Sequence, residues 1–199
     1  CIACVTLGDT GASLSAYASK AGIRTIIYVP ENVDMGKLYQ MVLFDADVRI
    51  VRNYRDGLSL LGSHKYRDKV FSVKSPYYLE GIKTIAFEIA EQLHWEVPDF
   101  VIVPMGTGGL ISMLWKGFRE LVDCGLTNDT PSLVGVQIRG ADPIISMLHG
   151  GDLREKKREE IFATDLDISE PPLGTLAVKA IRDSRGYGVS IDNKDIPPV

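Results

Sequence analysis

Hydrophobic and polar positions follow two alternating patterns along the chain. Short runs of β-branched and apolar residues are separated by longer segments in which apolar residues recur at the helical period. The first helical segment places Leu14, Tyr17 and Ala18 on one side, and the second, which Asp34 can cap, carries Met41 and Val42. The short runs predict β-strands at 2–6, 25–29, 48–51, 70–73, 100–103, 133–138 and 188–191.

This order of strands and helices predicts an α/β fold with two domains, in which parallel sheets are wrapped by helices. The run at 100–103 is continuously apolar, so we expect that strand to be covered on both faces. Pro76 breaks the alternation after Lys74. We therefore expect a smaller α/β domain at 1–74 and a larger, incomplete one at 75–199. Because the chain opens on Cys1 rather than Met, we expect it to be a piece of a longer polypeptide.

Composition narrows the classes of partner. Hydrophobic residues make up 45% of the chain, charged residues 24%, and the net charge is −4. This acidic balance argues against nucleic acid or an anionic membrane as a partner.

Cys1 and Cys4 form a C-x-x-C pair, which is typical of redox or zinc sites. No second pair completes a metal site, so we favour two small apolar residues on a strand and predict no metal. Few cysteines indicate a reducing, cytoplasmic setting.

Two glycine turns each join a predicted strand to a predicted helix. The later turn, residues 106–110, precedes a predicted helix. The N-terminal N–H groups and the dipole of that helix favour a phosphate, and the glycines of the turn allow close backbone approach. A tight turn without a ligand is the alternative. The earlier turn, residues 7–11, has N–H groups and a Thr10 hydroxyl that could hold a carboxylate, unless Asp9 or Thr10 is only an N-cap. The later turn consists of Gly106, Thr107, Gly108, Gly109 and Leu110.

Four segments together resemble the threonine synthase family, and the resemblance covers nearly the whole chain. They are LGDTGAS at 7–13, SPYYLEGIKTIAFE at 75–88, VIVPMGTGGL at 101–110 followed by WKGF, and LVGVQ at 133–137. The resemblance implies the second fold type of pyridoxal-phosphate enzymes, which is tryptophan synthase beta-like and includes threonine dehydratase and cysteine synthase. It also implies pyridoxal 5′-phosphate as cofactor, an amino-acid substrate and a homodimer.

The same resemblance assigns roles to residues of both turns. Gly106, Thr107, Gly108, Gly109 and Leu110 would hold the cofactor phosphate, and Asp9 would lie beside the pyridine hydroxyl. The family's Schiff-base lysine would precede Cys1, so we expect no catalytic lysine within these 199 residues. The substrate carboxylate would be cradled by Thr6, Leu7, Gly8, Thr10 and Gly11.

Departures from the family pattern leave the substrate open. Thr107 and Leu110 replace asparagines of the phosphate loop. Tyr78 stands where threonine synthases have an arginine that helps bind the phosphate of O-phosphohomoserine. The first hypothesis is a lyase that makes threonine from O-phosphohomoserine. The second is a paralogue such as cysteate synthase or a threonine/serine dehydratase, and the third is a non-catalytic module that binds a phosphate-bearing ligand.

Overall fold

The computed structural model describes residues 1–61, 75–151, 166 and 168–196. The chain divides into two compact units, Cys1–Ser72 and Val73–Val199, and each contains its own parallel sheet. The strand predicted at 70–73 lies outside the described residues, as does most of the charged segment at 150–160. The boundary at Lys74 therefore stays a prediction.

The first unit contains a three-stranded parallel sheet with strand order β1-β2-β3. Asp34 caps the second helix as expected, because its Oδ1 accepts a hydrogen bond of 2.9 Å from the Lys37 N–H. The elements of this unit are β1 (Ile2–Val5), α1 (Asp9–Lys20), β2 (Thr25–Pro30), α2 (Met35–Leu43), β3 (Asp47–Val51) and α3 (Tyr54–Leu61).

The sheet of the first unit is packed on both faces, because successive residues of β1 and β2 point to opposite sides. Ala3 and Tyr28 belong to one buried cluster, whereas Cys4 and Ile27 belong to the cluster on the other face with Met41. Burial raises the pKa of the Cys4 thiol to about 12. Such a thiol stays protonated at neutral pH, which agrees with the interpretation of Cys4 as an apolar strand residue.

Small residues determine which side of α1 faces the sheet. Gly11, Ala12, Ser15 and Ala18 are buried, whereas Tyr17 is 75% exposed. The prediction that Tyr17 shares a buried side with Ala18 is therefore wrong in this structure. Val42 is also exposed, and Met41 is the buried residue of α2. Close packing against the sheet favours the side with the smallest side chains, which a count of hydrophobic positions does not detect.

The second unit has a parallel sheet with strand order β4-β5-β6. Its core includes the fully buried side chains of Phe118, Leu133 and Ile181. The elements are α4 (Pro76–Gln92), β4 (Phe100–Pro104), α5 (Gly109–Asp123), β5 (Ser132–Ile138), α6 (Pro143–Leu148), α7 (Gly174–Asp183) and β6 (Tyr187–Ile191).

Strand β4 is covered on one face only within the described residues, which corrects the expectation of two covered faces. Val101 and Val103 pack on the core, whereas Phe100 is 57% exposed and Ile102 is 71% exposed. Successive residues of a strand point to opposite faces, and β4 is an edge strand whose core lies on a single side. A continuous apolar run alone does not distinguish these two arrangements.

Helix α5, which carries the later glycine turn at its start, is joined to α4 by a network of ion pairs. The Lys83 ammonium lies 2.5 Å from Glu80 and 2.7 Å from Glu120, and Lys116 pairs with the same two carboxylates. Hydrogen bonds from Lys116, and then from Lys83, lower the pKa of Glu80. Hydrogen bonds to Glu120, and then to Glu80, raise the pKa of Lys83. Lys83 is therefore held in the charged form.

Candidate functional site

The later glycine turn adopts a conformation that requires glycine at its centre. Gly108 is the N-cap of α5 and has φ of 86° in the left-handed region. A Cβ added at Gly108 would lie 2.9 Å from the Leu173 carbonyl oxygen and 3.1 Å from the Ala177 Cβ. The backbone of Leu173 therefore fills the space in which a side chain would have to lie.

Neighbouring groups hold the turn in this shape. The Leu173 N–H donates to the Thr107 carbonyl at 3.0 Å, and the Ser112 hydroxyl donates to the Gly108 carbonyl at 2.6 Å. The Thr107 hydroxyl oxygen accepts a hydrogen bond of 3.3 Å from the Gly109 N–H. The turn is thus anchored by the segment before α7, by its own helix and by its own side chain. Neither Leu173 nor Ser112 was indicated by the sequence.

The electrostatics of this turn suit an anion. The first N–H groups of a helix have no carbonyl partner within the helix, and the dipole adds about half a positive charge there. Helix α5 has 15 residues and no acidic residue in its first turn. Gly106, Thr107 and Leu110 are partly exposed at the carboxyl end of β4, so a ligand can reach them. The residues present therefore fit a phosphate group.

A buried glutamine fixes the point at which β4 leads into the turn. The Gln137 side-chain amide donates to the Met105 carbonyl at 3.1 Å. Its oxygen accepts hydrogen bonds from the N–H groups of Ile144 and Ile145 at 2.9 and 3.1 Å. Gln137 thereby joins the residue before Gly106 to the start of α6. The sequence contained no signal for this role, because it depends on which elements lie side by side.

Tyr78 lies in the first turn of α4, and the structure brings this turn close to the later glycine turn. The neighbouring Leu79 has its Cδ2 atom 3.8 Å from the ideal Cβ position of Gly109. Tyr78 is partly exposed. The assignment of Tyr78 to the substrate site stays a prediction.

The earlier glycine turn is organised around a buried hydroxyl. The Thr6 Oγ1 accepts hydrogen bonds from the N–H groups of Gly8 and Gly11 at 3.0 and 3.3 Å. The Ser15 hydroxyl donates to the Gly11 carbonyl at 2.7 Å. These contacts give Thr6 a part in shaping the turn, whereas Leu7 is partly exposed and open to a ligand.

The N-cap residue of α1 differs from the sequence prediction. Gly8 is the N-cap, with φ of 148° and no side-chain cap, so the N-cap alternative for Asp9 or Thr10 is wrong. Asp9 lies in the first turn with 77% of its side chain exposed, and its Oδ1 lies 3.1 Å from the Lys37 ammonium. The sequence did not indicate Lys37, which comes from the first turn of α2.

Within the described ranges, other kinds of site find little support. No cluster of three metal-ligating side chains occurs there, and none of the described helices combines the length and apolarity of a membrane span. A shallow surface depression lies on the C-terminal half of α1, lined in part by Tyr17, Lys20 and Phe44. None of the candidate residues lines it.

Comparison with known proteins gives the context for this geometry. The family model described as pyridoxal-phosphate dependent enzyme matches residues 1–197. The chain is 38% identical to a threonine synthase of Methanocaldococcus jannaschii and 37% identical to one of Methanosarcina acetivorans, in each case over 98% of this chain and 50% of the relative. It thus spans about half the length of these relatives. Maize serine racemase shares the fold, with a TM-score of 0.75 at 19% identity, over 97% of this chain and 56% of that one.

Proposed function

Because the chain belongs to the family of pyridoxal-phosphate dependent enzymes, we propose that it is part of a lyase that acts on an amino acid by elimination and replacement. The observation that carries this proposal is the glycine turn at the start of α5. It combines a left-handed Gly108, a helix N-terminus without acidic residues and an anchored backbone. These are the features that a cofactor phosphate requires.

Each glycine turn has its own role in this proposal. Gly106, Thr107, Gly108, Gly109 and Leu110 bind the phosphate of pyridoxal 5′-phosphate through backbone N–H groups. When bound, the cofactor supplies an electron sink for the bonds at the substrate α-carbon.

The earlier turn binds the carboxylate of the amino acid and orients it. Its shape is maintained by Thr6, and Asp9 lies beside the pyridine hydroxyl of the cofactor. The remaining backbone contacts to the carboxylate are assigned to Leu7, Gly8, Thr10 and Gly11.

The substrate we favour is O-phosphohomoserine, with threonine and phosphate as products. The support is the identity of 33–38% to threonine synthases over nearly the whole chain. In this reaction the substrate loses phosphate from its γ carbon, which gains a proton, and water supplies the hydroxyl group added at the β carbon, so that O-phosphohomoserine and water give threonine and phosphate. We place the whole protein in the cytoplasm as a homodimer.

Tyr78 is the observation that favours a second candidate. A phenol cannot replace the bidentate, charged contact that arginine makes with a phosphate. If Tyr78 marks a changed pocket, the protein is a paralogue such as cysteate synthase or a threonine/serine dehydratase.

The test is a substrate panel applied to the full-length protein with pyridoxal phosphate bound. O-phosphohomoserine, O-phosphoserine, threonine and serine are compared by kcat/KM, with release of phosphate or ammonia as the readout. The proposal expects O-phosphohomoserine to be used best. Preference for any of the other three substrates supports the paralogue instead. Cofactor binding without turnover of any of them supports the non-catalytic module.

A further inference from the structure

The earlier glycine turn contains a charge that opposes its proposed ligand. Asp9 lies in the first turn of α1, where the proposed function, on which this inference rests, places the carboxylate of an amino acid. Two like charges at the same helix turn repel each other, and binding weakens accordingly. The later turn has no such conflict, because the first turn of α5 contains no acidic residue. The negative charge of Asp9 therefore has to be compensated.

Lys37 is held in the position that compensates it. Its ammonium lies 3.1 Å from the Asp9 Oδ1. Its alkyl chain lies against Gly8, because a Cβ added at Gly8 would lie only 2.3 Å from the Lys37 Cδ and 3.4 Å from its Cβ and Cγ. The Lys37 side chain is 26% exposed, against 77% for Asp9. Packing on Gly8 therefore restricts the lysine and keeps its charge beside the turn.

The location of Lys37 in its own helix is unfavourable. It lies in the first turn of α2, where the helix dipole disfavours a positive charge, and the acidic residue at this end is the N-cap Asp34, whose carboxylate is already bound to the Lys37 N–H. The Lys37 N–H is also fixed by its hydrogen bond to Asp34, so the side chain starts from a defined point. A local cost of this kind is typical of residues retained for a functional site.

From these contacts we infer that Lys37 is a positioning residue: its ammonium group neutralises Asp9, so that the turn at the start of α1 can accept the carboxylate of an amino acid. Lys37 acts through Asp9 and not by contact with the substrate. The close cover of Gly8 is the means by which the lysine is kept in place.

The test is a double-mutant cycle on the full-length protein with pyridoxal phosphate bound. The Kd of L-threonine is measured from the change in cofactor absorbance, and L-threonine amide, which lacks the negative charge, is the matched probe. Lys37→Met keeps the alkyl cover of Gly8 but removes the charge, and Lys37→Arg keeps the charge. Each is made with Asp9 present and in an Asp9→Asn background, and thermal melting checks the fold of every variant.

With Asp9 present, Lys37→Met should raise the Kd of L-threonine about three- to fivefold. The Kd of the amide should change less than twofold, and Lys37→Arg should stay near the parent protein. In the Asp9→Asn background, Lys37→Met should alter the Kd of L-threonine less than twofold, because no charge is left to neutralise.

Three results would overturn the inference. The first is an unchanged Kd of L-threonine in Lys37→Met, and the second is equal weakening of threonine and the amide, which indicates a structural role. The third is full weakening in the Asp9→Asn background, which indicates direct contact between Lys37 and the ligand. If Lys37→Met does not fold, Lys37→Gln, which also removes the charge, takes its place in both backgrounds. A parent protein that binds neither probe contradicts the proposed function itself.

Discussion

Substituting Gly108 by alanine separates the two reasons why glycine is needed at the start of α5. The first is the backbone conformation, since φ of 86° costs an L-residue about 1–2 kcal/mol. The second is space, since the new Cβ would lie 2.9 Å from the Leu173 carbonyl oxygen, a backbone atom that can move only with its chain. Forcing such a shift costs about 1–3 kcal/mol. The free energy of unfolding should therefore fall by about 2–5 kcal/mol.

Gly125 provides the matched control at the other end of α5. It has φ of 70°, and a Cβ added there meets no heavy atom within 4 Å. Gly125→Ala should therefore lose only the conformational part, about 1–2 kcal/mol. The difference between the two variants, measured by urea unfolding of the full-length protein without cofactor, isolates the clash with Leu173.

Cofactor affinity gives a second and independent readout. The clash displaces the turn, so the N–H groups that follow Gly108 should lose their alignment with the phosphate. A titration of pyridoxal phosphate, followed by absorbance, should show at least a tenfold rise in Kd for Gly108→Ala and none for Gly125→Ala. Equal losses of stability in the two variants would refute the structural reasoning. Equal cofactor affinities would remove the assignment of this turn to the phosphate.

Three further outcomes are expected. Tyr78→Arg should raise kcat/KM for O-phosphohomoserine about tenfold, because it adds a charge-assisted contact to phosphate. An unchanged kcat/KM would contradict the assignment of Tyr78 to the substrate site. The low pKa of Glu80 means that its stabilising contribution is present above the unfolded pKa of about 4.3 and is lost as pH falls towards the folded value. The difference in Tm between the parent protein and Glu80→Gln should therefore be constant at neutral pH and shrink below about pH 5. Borohydride reduction of the cofactor-bound protein, followed by peptide mapping, should label no lysine between Cys1 and Val199, and a label there would contradict the expectation that the Schiff-base lysine precedes this chain.

Local patterns predicted the order of elements because strands and glycine turns depend on neighbours in sequence. The turn at Gly108 could be recognised from an apolar run followed by glycines, and Asp34 from the apolar pattern after it. The same patterns failed where packing decides. Ile102 and Tyr17 are exposed, and their hydrophobicity alone would fit a buried position equally well. Whether such a side chain is buried depends on the position of its strand in the sheet or on the size of the neighbouring side chains.

Residues that contact another helix or strand could not be predicted from the sequence, for a related reason. Lys37 reaches Asp9 only because α2 packs beside the start of α1, and Leu173 supports Gly108 through its backbone, whose chemistry any residue provides. Gln137 differs little from a surface glutamine until its three buried backbone partners are known. A sequence indicates which residues can bind a ligand, whereas the residues that hold them in place emerge with the tertiary structure.

The two glycine turns share one local design but differ in charge, and this difference indicates which anion each suits. In both, a serine hydroxyl donates to the carbonyl of a glycine four residues earlier, Ser15 to Gly11 within α1 and Ser112 to the N-cap Gly108 of α5. A phosphate carries about −1.5 to −2 charges at neutral pH and needs a turn without opposing charge, which is the situation at the start of α5. At the start of α1, the pair of Asp9 with Lys37 leaves mainly the partial charge of the helix dipole. Without Lys37 the field at the start of α1 would be weaker than at the start of α5, because the Asp9 carboxylate would oppose the helix dipole, and a ligand with a single negative charge is therefore the one we expect there.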